Sequence, residues 1–163
     1  MKFAALDPKG HDRKSFDCGV PALNEYLQRY ANQDLKRSLT RIYVLADGPS
    51  IIGYYSISAH SVRRDHLPED VQAGPYEDIP FLLLGRLAVD RRWQRKGYGD
   101  ALVVHAFHTT RKAAAQIGIL GMIVEAKDEK AAGFYEGFGF RGLTGTRHRF
   151  VLPITAMDAL LER

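Results

Sequence analysis

The chain has 163 residues, 45% hydrophobic and 26% charged, a balance typical of a folded globular protein and unlike that of a disordered one. Cys18 is the only cysteine, which excludes an intrachain disulfide and favours a reducing compartment. The net charge of +4 favours anionic partners without identifying one. The length fits one domain, so we expect residues 1–163 to form a single domain.

The start of the chain is polar. Its first fourteen residues carry six charged side chains, which does not match the apolar core of a signal peptide. No apolar run is long enough to cross a bilayer. We therefore expect a soluble, cytoplasmic protein with no membrane partner.

The first half of the chain predicts strands around one helical segment. The predicted elements are a strand at 2–6, a polar turn-like segment at 7–17, a helix from Pro21 to Leu35 that is either continuous or broken, a hairpin of strands 41–46 and 51–59, and a polar loop at 61–80, with or without a short helical turn. A connection as long as 61–80 is often functional.

The second half predicts a strand–helix–strand unit followed by a closing hairpin. The predicted elements are a strand at 81–89, a helix at 97–117, a strand at 120–125, a helix from an Asp128 cap to about Phe138, a hairpin from Phe140 with its second strand at 147–152, and a helix at 154–161. The helical connection predicts that strands 81–89 and 120–125 lie side by side and parallel.

The most informative segment is a basic, glycine-containing turn at the start of the helix 97–117. Residues 94–99 read Gln-Arg-Lys-Gly-Tyr-Gly. Unpaired N–H groups and the helix dipole favour an anion at such a position, and the missing Cβ atoms of Gly97 and Gly99 allow a phosphate to approach the backbone. Neither the NTP-binding P-loop pattern nor the dinucleotide pattern G-x-G-x-x-G is present. The alternative is a basic helix N-terminus without a ligand.

The order Q-x-x-G-x-G, the strands on either side and the later segment from Ala131 to Phe140, which contains Phe134 and Tyr135, resemble the GNAT acyl-CoA N-acetyltransferases. The resemblance covers about Phe16 to Phe150. It implies the α/β GNAT fold, a mixed central sheet flanked by helices in which parallel strands 81–89 and 120–125 splay apart. It also implies acetyl-CoA as the cofactor.

The resemblance assigns roles to individual residues. Tyr135 matches the general acid, although a helical aromatic residue is more often part of the core. Asp128 stands where many members carry asparagine after the second strand, so a helix cap is an equal interpretation. The implied cofactor-binding residues are Leu87, Ala88, Val89, Gln94, Arg95, Lys96, Gly97, Tyr98, Gly99, Asp128 and Phe134.

The acceptor side is less well defined. Arg86 alternates with Leu87 and so faces the other side of the sheet, where it either contacts the acceptor or pairs with an acid such as Glu125. Lys36 and Arg37 are further candidates for acceptor binding. The sequence identifies no general base. Other basic residues available to phosphates are Arg29, Arg41, Arg63, Arg64, Arg91, Arg92, Arg147 and Arg149.

Other reactive side chains give no site. His105 and His108 lie one turn apart on the predicted helix without a third ligand, so we expect a solvated face and no metal. Cys18 has no paired base within its local sequence, and we interpret it as structural.

Three further segments resemble one branch of the GNAT group. They are Phe16–Gly19, Ile52–Ser56 and Leu84–Val89. That branch contains the toxins of type II toxin–antitoxin systems, which acetylate the amino group of aminoacyl-tRNA and block translation. The resemblance implies a ribbon-helix-helix antitoxin as partner and a homodimer. The alternatives are a GNAT enzyme acting on a small amine or a protein N-terminus, and a non-catalytic acyl-CoA-binding module.

Overall fold

The computed structural model describes residues 1–162. Its strands are β1 (Lys2–Ala5), β2 (Arg41–Asp47), β3 (Ser50–Arg63), β4 (Asp78–Val89), β5 (Gly121–Glu125), β6 (Arg141–Gly142) and β7 (Arg149–Pro153). These seven strands form one sheet in the order β1-β2-β3-β4-β5-β7-β6. The α-helices are α1 (Pro21–Glu25), α2 (Ala31–Lys36), α3 (Tyr98–Ala114), α4 (Glu129–Glu136) and α5 (Ile154–Leu161).

The predicted parallel pairing of the two central strands is confirmed. Phe81 to Leu84 of β4 lie opposite Gly121 to Val124 of β5. The pairs β1–β2, β2–β3, β5–β7 and β6–β7 are antiparallel. The sheet is therefore mixed, as predicted, and β4 continues for five residues beyond its last partner on β5.

The chain divides into two compact units. The first comprises residues 1–58 and 85–106. Its core holds buried residues from the helical segment and the strands, among them Leu27, Ala31, Ile42 and Tyr54. The helix predicted from Pro21 consists of α1, a π-helical segment (Tyr26–Tyr30) and α2. Pro21 occupies the first helical turn, where its missing N–H costs nothing.

The second unit comprises residues 59–84 and the described chain from 107 onward. Its core holds buried residues from four strands, among them Val62, Phe81, Ile123 and Val151. Asp128 caps α4 and α5 spans 154–161, both as predicted. This unit carries Tyr135, whereas the turn at 94–99 belongs to the first unit.

The loop predicted at 61–80 is shorter in the structure. β3 extends to Arg63, a 3-10 turn follows at Arg64–His66, and β4 begins at Asp78. The short helical turn and the loop from 67 to 77 were correctly predicted, whereas both ends of the predicted loop belong to strands. β3 extends to Arg63 because Val62 is buried in the core while its neighbours Ser61 and Arg63 are exposed, the alternation typical of a strand. This alternation is too short to recognise in a polar part of the sequence.

The prediction of a solvated face was wrong for His105 and correct for His108, which is exposed. The His105 ring stacks on Phe3 with centroids 4.0 Å apart, and its Nδ1 lies 2.7 Å from the Tyr55 hydroxyl. Both partners belong to strands distant in sequence, so helical periodicity alone could not reveal them.

None of the helices described in residues 1–162 combines the length and the apolar composition that a membrane span requires.

Gly53 on β3 allows the last part of β4 to approach closely. A Cβ at this position would lie 2.9 Å from the Ala88 carbonyl oxygen and 2.9 Å from Leu102 Cδ1. We expect Gly53→Ala to lower the free energy of unfolding by about 1–3 kcal/mol, because the added methyl overpacks this contact. Urea unfolding measures the effect.

Gly118→Ala is the matched control, because no atom lies within 4 Å of its added Cβ. Its free energy of unfolding should change by no more than about 0.5 kcal/mol. Equal stability of Gly53→Ala and wild type would show that β3 and β4 do not need this glycine.

Candidate active site

The turn between β4 and α3 presents a row of unpaired backbone donors. After a 3-10 turn (Arg91–Trp93), the chain takes positive φ angles at Arg95 (63°) and at Gly97 (86°) before α3 begins at Tyr98. Within residues 1–162, the N–H groups of Arg95, Lys96, Gly97 and Tyr98 donate to no other residue. Successive N–H groups in such alternating conformations form a concave anion site.

Charge reinforces this anion site. α3 has 17 residues, so its N-terminus directs a full helix dipole toward the turn. Arg95 and Lys96 are exposed, and Lys96 Nζ lies 5.6 Å from the centroid of the Trp93 ring. These features suit a diphosphate, which carries two adjacent negative groups.

Gln94 supports the turn from within. Its Nε2 donates to the carbonyl oxygen of Cys18 at 2.9 Å and to that of Val89 at 2.8 Å. Both hydrogens of the side-chain amide are thus used inside the protein. The side chain of Gln94 therefore shapes the turn, and its contact with a cofactor remains a prediction.

Asp90 holds the base of the turn and was missed in the sequence. It is only 2% exposed. Its carboxylate accepts hydrogen bonds from the N–H groups of Asp17 (3.1 Å) and Arg92 (3.0 Å) and from Arg92 Nε (3.0 Å). Its own N–H donates to the Ile52 carbonyl oxygen at 2.8 Å. An acidic residue between a buried strand and a glycine-containing turn was the available signal.

The electrostatics of Asp90 agree with this role. Burial raises the pKa of the carboxyl group, but the hydrogen bonds from Arg92 and Asp17 outweigh it, and the pKa ends below its usual range. The carboxylate is therefore charged at neutral pH. A charged acceptor binds its N–H donors more strongly than a neutral one.

The segment 16–19 braces the same turn from outside. The Arg91 N–H donates to the Asp17 carbonyl oxygen at 2.8 Å, and Arg91 Nη1 lies 3.5 Å from Asp17 Oδ2. Cys18 is buried and its Sγ lies 3.6 Å from the Val20 carbonyl oxygen. The structural interpretation of Cys18 is therefore confirmed.

The strand residues predicted to face the cofactor lie directly before this turn. Leu87, Ala88 and Val89 are the last three residues of β4, with Ala88 buried and the other two partly buried. Their placement next to the anion site agrees with the prediction. Their contact with a cofactor remains a prediction.

Tyr135 lies on α4 among aromatic residues of the second unit. Its ring centroid is 5.3 Å from that of Phe134 and 5.5 Å from that of Phe140. The residue is 8% exposed, and burial raises the pKa of its hydroxyl to about 12. Within residues 1–162, no side chain or backbone group hydrogen-bonds to this hydroxyl. The group is thus a protonated donor with an open hydrogen-bond position.

Asp128 and Phe134 have clear structural roles. Asp128 Oδ1 accepts a hydrogen bond from the Ala131 N–H at 2.8 Å, which caps α4. Phe134 is partly buried and packs edge-to-face on Tyr135 and Phe138. The cofactor contacts predicted for both residues remain predictions.

Arg86 does not pair with an acid in the part of the chain that the structure describes. Its guanidinium carbon lies 3.5 Å from the centroid of the Tyr26 ring. Glu125, the acid suggested as its partner, instead lies 3.8 Å from Arg149 Nε. Of the two interpretations of Arg86, contact with the acceptor is the one that remains a prediction.

Ion pairing separates the other basic residues into two groups. Five of the basic residues considered for phosphate binding already have a carboxylate partner: Arg29, Arg63, Arg91, Arg92 and Arg149. Arg149 is also only partly exposed, because its Nε is buried. Lys36 and Arg37 are exposed at the end of α2 and form no ion pair in the described part of the chain, and the same holds for Arg41, Arg64 and Arg147. These five are the better candidates.

Comparison with solved structures finds close neighbours of this fold. AtaT complexed with acetyl-methionyl-tRNAfMet has a TM-score of 0.90 and 32% identity, and the match covers 98% of each chain. A tyrosine-to-phenylalanine variant of AtaT, bound to the C-terminus of the antitoxin AtaR and acetyl-CoA, has a TM-score of 0.86 and 30% identity, with 99% of this chain and 98% of that chain covered.

Sequence comparison agrees with the structural match. A tRNA-acetylating toxin from Mycobacterium tuberculosis is 33% identical over 129 residues, which cover 79% of this chain and 78% of the relative. The model of the acetyltransferase (GNAT) domain matches residues 38–142, more than half of the chain. The predicted GNAT fold is thereby confirmed, and the chain belongs to the GNAT acetyltransferase family.

Proposed function

We propose that this protein is an acetyl-CoA-dependent N-acetyltransferase that acts as a toxin by acetylating the α-amino group of aminoacyl-tRNA, which blocks translation. The observation that carries the proposal is the row of unpaired N–H groups from Arg95 to Tyr98 at the start of α3. The similarity to AtaT, whose solved structures include complexes with acetyl-CoA and with acetyl-methionyl-tRNAfMet, supports the choice of both substrates.

The donor is held by backbone groups. The amides of the turn, with Arg95, Lys96, Gly97, Tyr98 and Gly99, bind the diphosphate of acetyl-CoA, which supplies the acetyl thioester. The backbone of Leu87, Ala88 and Val89 pairs with the pantetheine arm, as one strand pairs with another. An N–H of this strand then stabilises the negative charge that develops on the thioester oxygen.

The transfer forms a C–N bond and breaks a C–S bond. The neutral α-amino group attacks the thioester carbonyl carbon, and the sulfur leaves with the bonding pair. Tyr135 donates its phenolic proton to that sulfur, the excess proton of the new amide goes to solvent, and a proton from solvent restores Tyr135 for the next turnover. The raised pKa of Tyr135 keeps its proton in place at neutral pH, and the absence of an internal partner leaves its hydroxyl available.

No strong general base is required on the acceptor side. An α-amino group has an ordinary pKa of about 7.7–8.0, far below about 10.4 for lysine, so much of it is neutral in the cell. Lys36, Arg37 and Arg86 then bind the acceptor rather than deprotonate it. The proposal also includes contact of Phe134 and Asp128 with acetyl-CoA.

The proposal includes the setting of such a toxin. The protein acts in the cytoplasm, where charged tRNA is found, and forms a homodimer. A ribbon-helix-helix antitoxin neutralises it. The structure of AtaT with the C-terminus of AtaR supports a protein antitoxin as partner.

The test is a transfer assay with purified protein, labelled acetyl-CoA and a mixture of charged tRNAs. We expect label on the aminoacyl end, released with the amino acid when the ester is hydrolysed. Uncharged tRNA is the control and should stay unlabelled. Label on peptides or small amines, with charged tRNA untouched, would reject the toxin function but leave an acetyltransferase. Turnover no faster than the uncatalysed background on every amine would reject catalysis.

A further inference from the structure

Arg86 is a partly buried cation with no anionic partner. It lies on β4, directly before the three residues proposed to pair with pantetheine, and its side chain faces the opposite side of the strand from that of Leu87. In the described chain it forms no hydrogen bond and no ion pair. Burying a charge without a partner is costly, so a position like this one is typical of a ligand-binding arginine.

Two residues fix the orientation of Arg86. Its guanidinium carbon lies 3.5 Å from the centroid of the Tyr26 ring, within the range of a cation–π contact. The Tyr26 hydroxyl in turn donates to Asp34 Oδ2 at 2.8 Å. Tyr26 is buried and begins the π-helical segment, a feature often found at functional sites. The face of the guanidinium is occupied, which leaves its N–H edge for a ligand.

Two further cations lie on the helical segment that holds Tyr26 and Asp34. Lys36 ends α2 two residues after Asp34, and Arg37 follows it. Both are exposed and form no ion pair in residues 1–162. Arg86 therefore supplies an oriented, partly buried cation and the helical segment supplies two exposed ones, a combination that fits a polyanionic chain.

We propose that Arg86, held by Tyr26 and Asp34, binds the phosphodiester next to the terminal nucleotide of the aminoacyl-tRNA acceptor. The inference rests on the proposed function, because it assumes that acceptor. The carboxyl group of the amino acid is esterified there, so phosphodiesters are the only anions near the reacting amine. A planar guanidinium donates two parallel hydrogen bonds to a phosphate.

The test compares two acceptors made from one pool of charged tRNA. Ribonuclease A cleaves after the preceding cytidine and releases 3′-aminoacyl-adenosine, which keeps the amine and lacks the phosphodiester. We expect Arg86→Gln to lower kcat/KM about 10- to 100-fold on charged tRNA, by loss of charge-assisted hydrogen bonds, and less than about twofold on aminoacyl-adenosine. The plot of log kcat/KM against log salt should become shallower by about 0.7 on charged tRNA.

Arg111→Gln is the matched control, because it removes one positive charge from a surface ion pair with Asp158. It should change kcat/KM by less than about twofold on either acceptor. Tyr26→Phe, which keeps the ring and removes the hydrogen bond to Asp34, should give a smaller loss than Arg86→Gln, again on charged tRNA only. Thermal unfolding and the Kd for acetyl-CoA should be unchanged in Arg86→Gln.

The possible outcomes separate the two proposals. Equal losses on both acceptors, no loss on charged tRNA, or a weakened Kd for acetyl-CoA would each overturn the role of Arg86 while leaving the enzyme as proposed. Failure of the wild-type protein to acetylate charged tRNA would instead reject the proposed function, and this inference with it.

Discussion

Replacing Tyr135 with phenylalanine should lower kcat for acetyl transfer by about 10²- to 10⁴-fold, the range expected when a general acid is lost. The ring would keep its packing on Phe134 and Phe140, so the fold and the Kd for acetyl-CoA should be unchanged. Single-turnover acetylation, together with calorimetric titration of acetyl-CoA, separates chemistry from binding. Full activity of the variant would reject Tyr135 as the acid.

Tyr76→Phe is the control for Tyr135→Phe, because it removes a hydroxyl from a side chain that is 73% exposed. Its kcat should equal that of wild type.

The pH profile of acetyl transfer gives an independent check on Tyr135. Since burial raises the pKa of Tyr135 to about 12, activity should not decline between about pH 7 and about pH 9.5 through loss of this proton. A decline in this range that disappears in Tyr135→Phe would contradict the raised pKa of Tyr135.

Replacing Asp90 with alanine should weaken acetyl-CoA binding at least about 10-fold and lower the free energy of unfolding by about 2–4 kcal/mol. The Asp17 and Arg92 N–H groups would lose their acceptor, and the turn at 94–99 would lose its anchor. Titration calorimetry and urea unfolding measure the two effects.

The control for Asp90→Ala is Asp47→Ala. Asp47 is exposed at the end of β2, and its only ion pair among residues 1–162 is a 3.9 Å contact with the N-terminal amine. Stability should change by no more than about 0.5 kcal/mol, and acetyl-CoA binding should not change. If Asp90→Ala bound acetyl-CoA as tightly as wild type, the turn would not depend on Asp90.

The sequence predicted the elements around the turn because their signals are local. These signals follow one another in the sequence: an apolar strand ending at Val89, two glycines and an amphipathic helix. The helix begins at Tyr98, one residue later than predicted. Asp128 was correctly predicted as a cap because a cap acts on residues two and three positions away. The parallel pairing of β4 with β5 was predicted because a helix connects the two strands.

Contacts between distant segments could not be predicted in the same way. Asp90 accepts from Asp17, 73 residues away, and Arg86 stacks on Tyr26, 60 positions earlier in the chain. His105 was predicted to be solvated because its partners Phe3 and Tyr55 lie on β1 and β3, and helical periodicity does not reveal contacts with distant strands. The nature of each residue was visible in the sequence, whereas its partner depended on the tertiary fold.

The π-helical segment could not be predicted, because the spacing of apolar residues in the sequence does not distinguish it from an α-helix. Leu27 and Ala31 are both buried, as the pattern predicted, but the wider turn between them changes which side chains share a face. In the structure, the Tyr26 ring supports Arg86 and its hydroxyl donates to Asp34.

Calorimetric titration of the purified protein with acetyl-CoA, compared with acetyl-pantetheine, tests the central claim most directly. Acetyl-pantetheine keeps the thioester and lacks the diphosphate that the amides of Arg95 to Tyr98 are proposed to bind. We predict a 1:1 complex with acetyl-CoA and at least about 100-fold weaker binding of acetyl-pantetheine. The absence of binding to acetyl-CoA, or equal affinity for the two compounds, would contradict the claim.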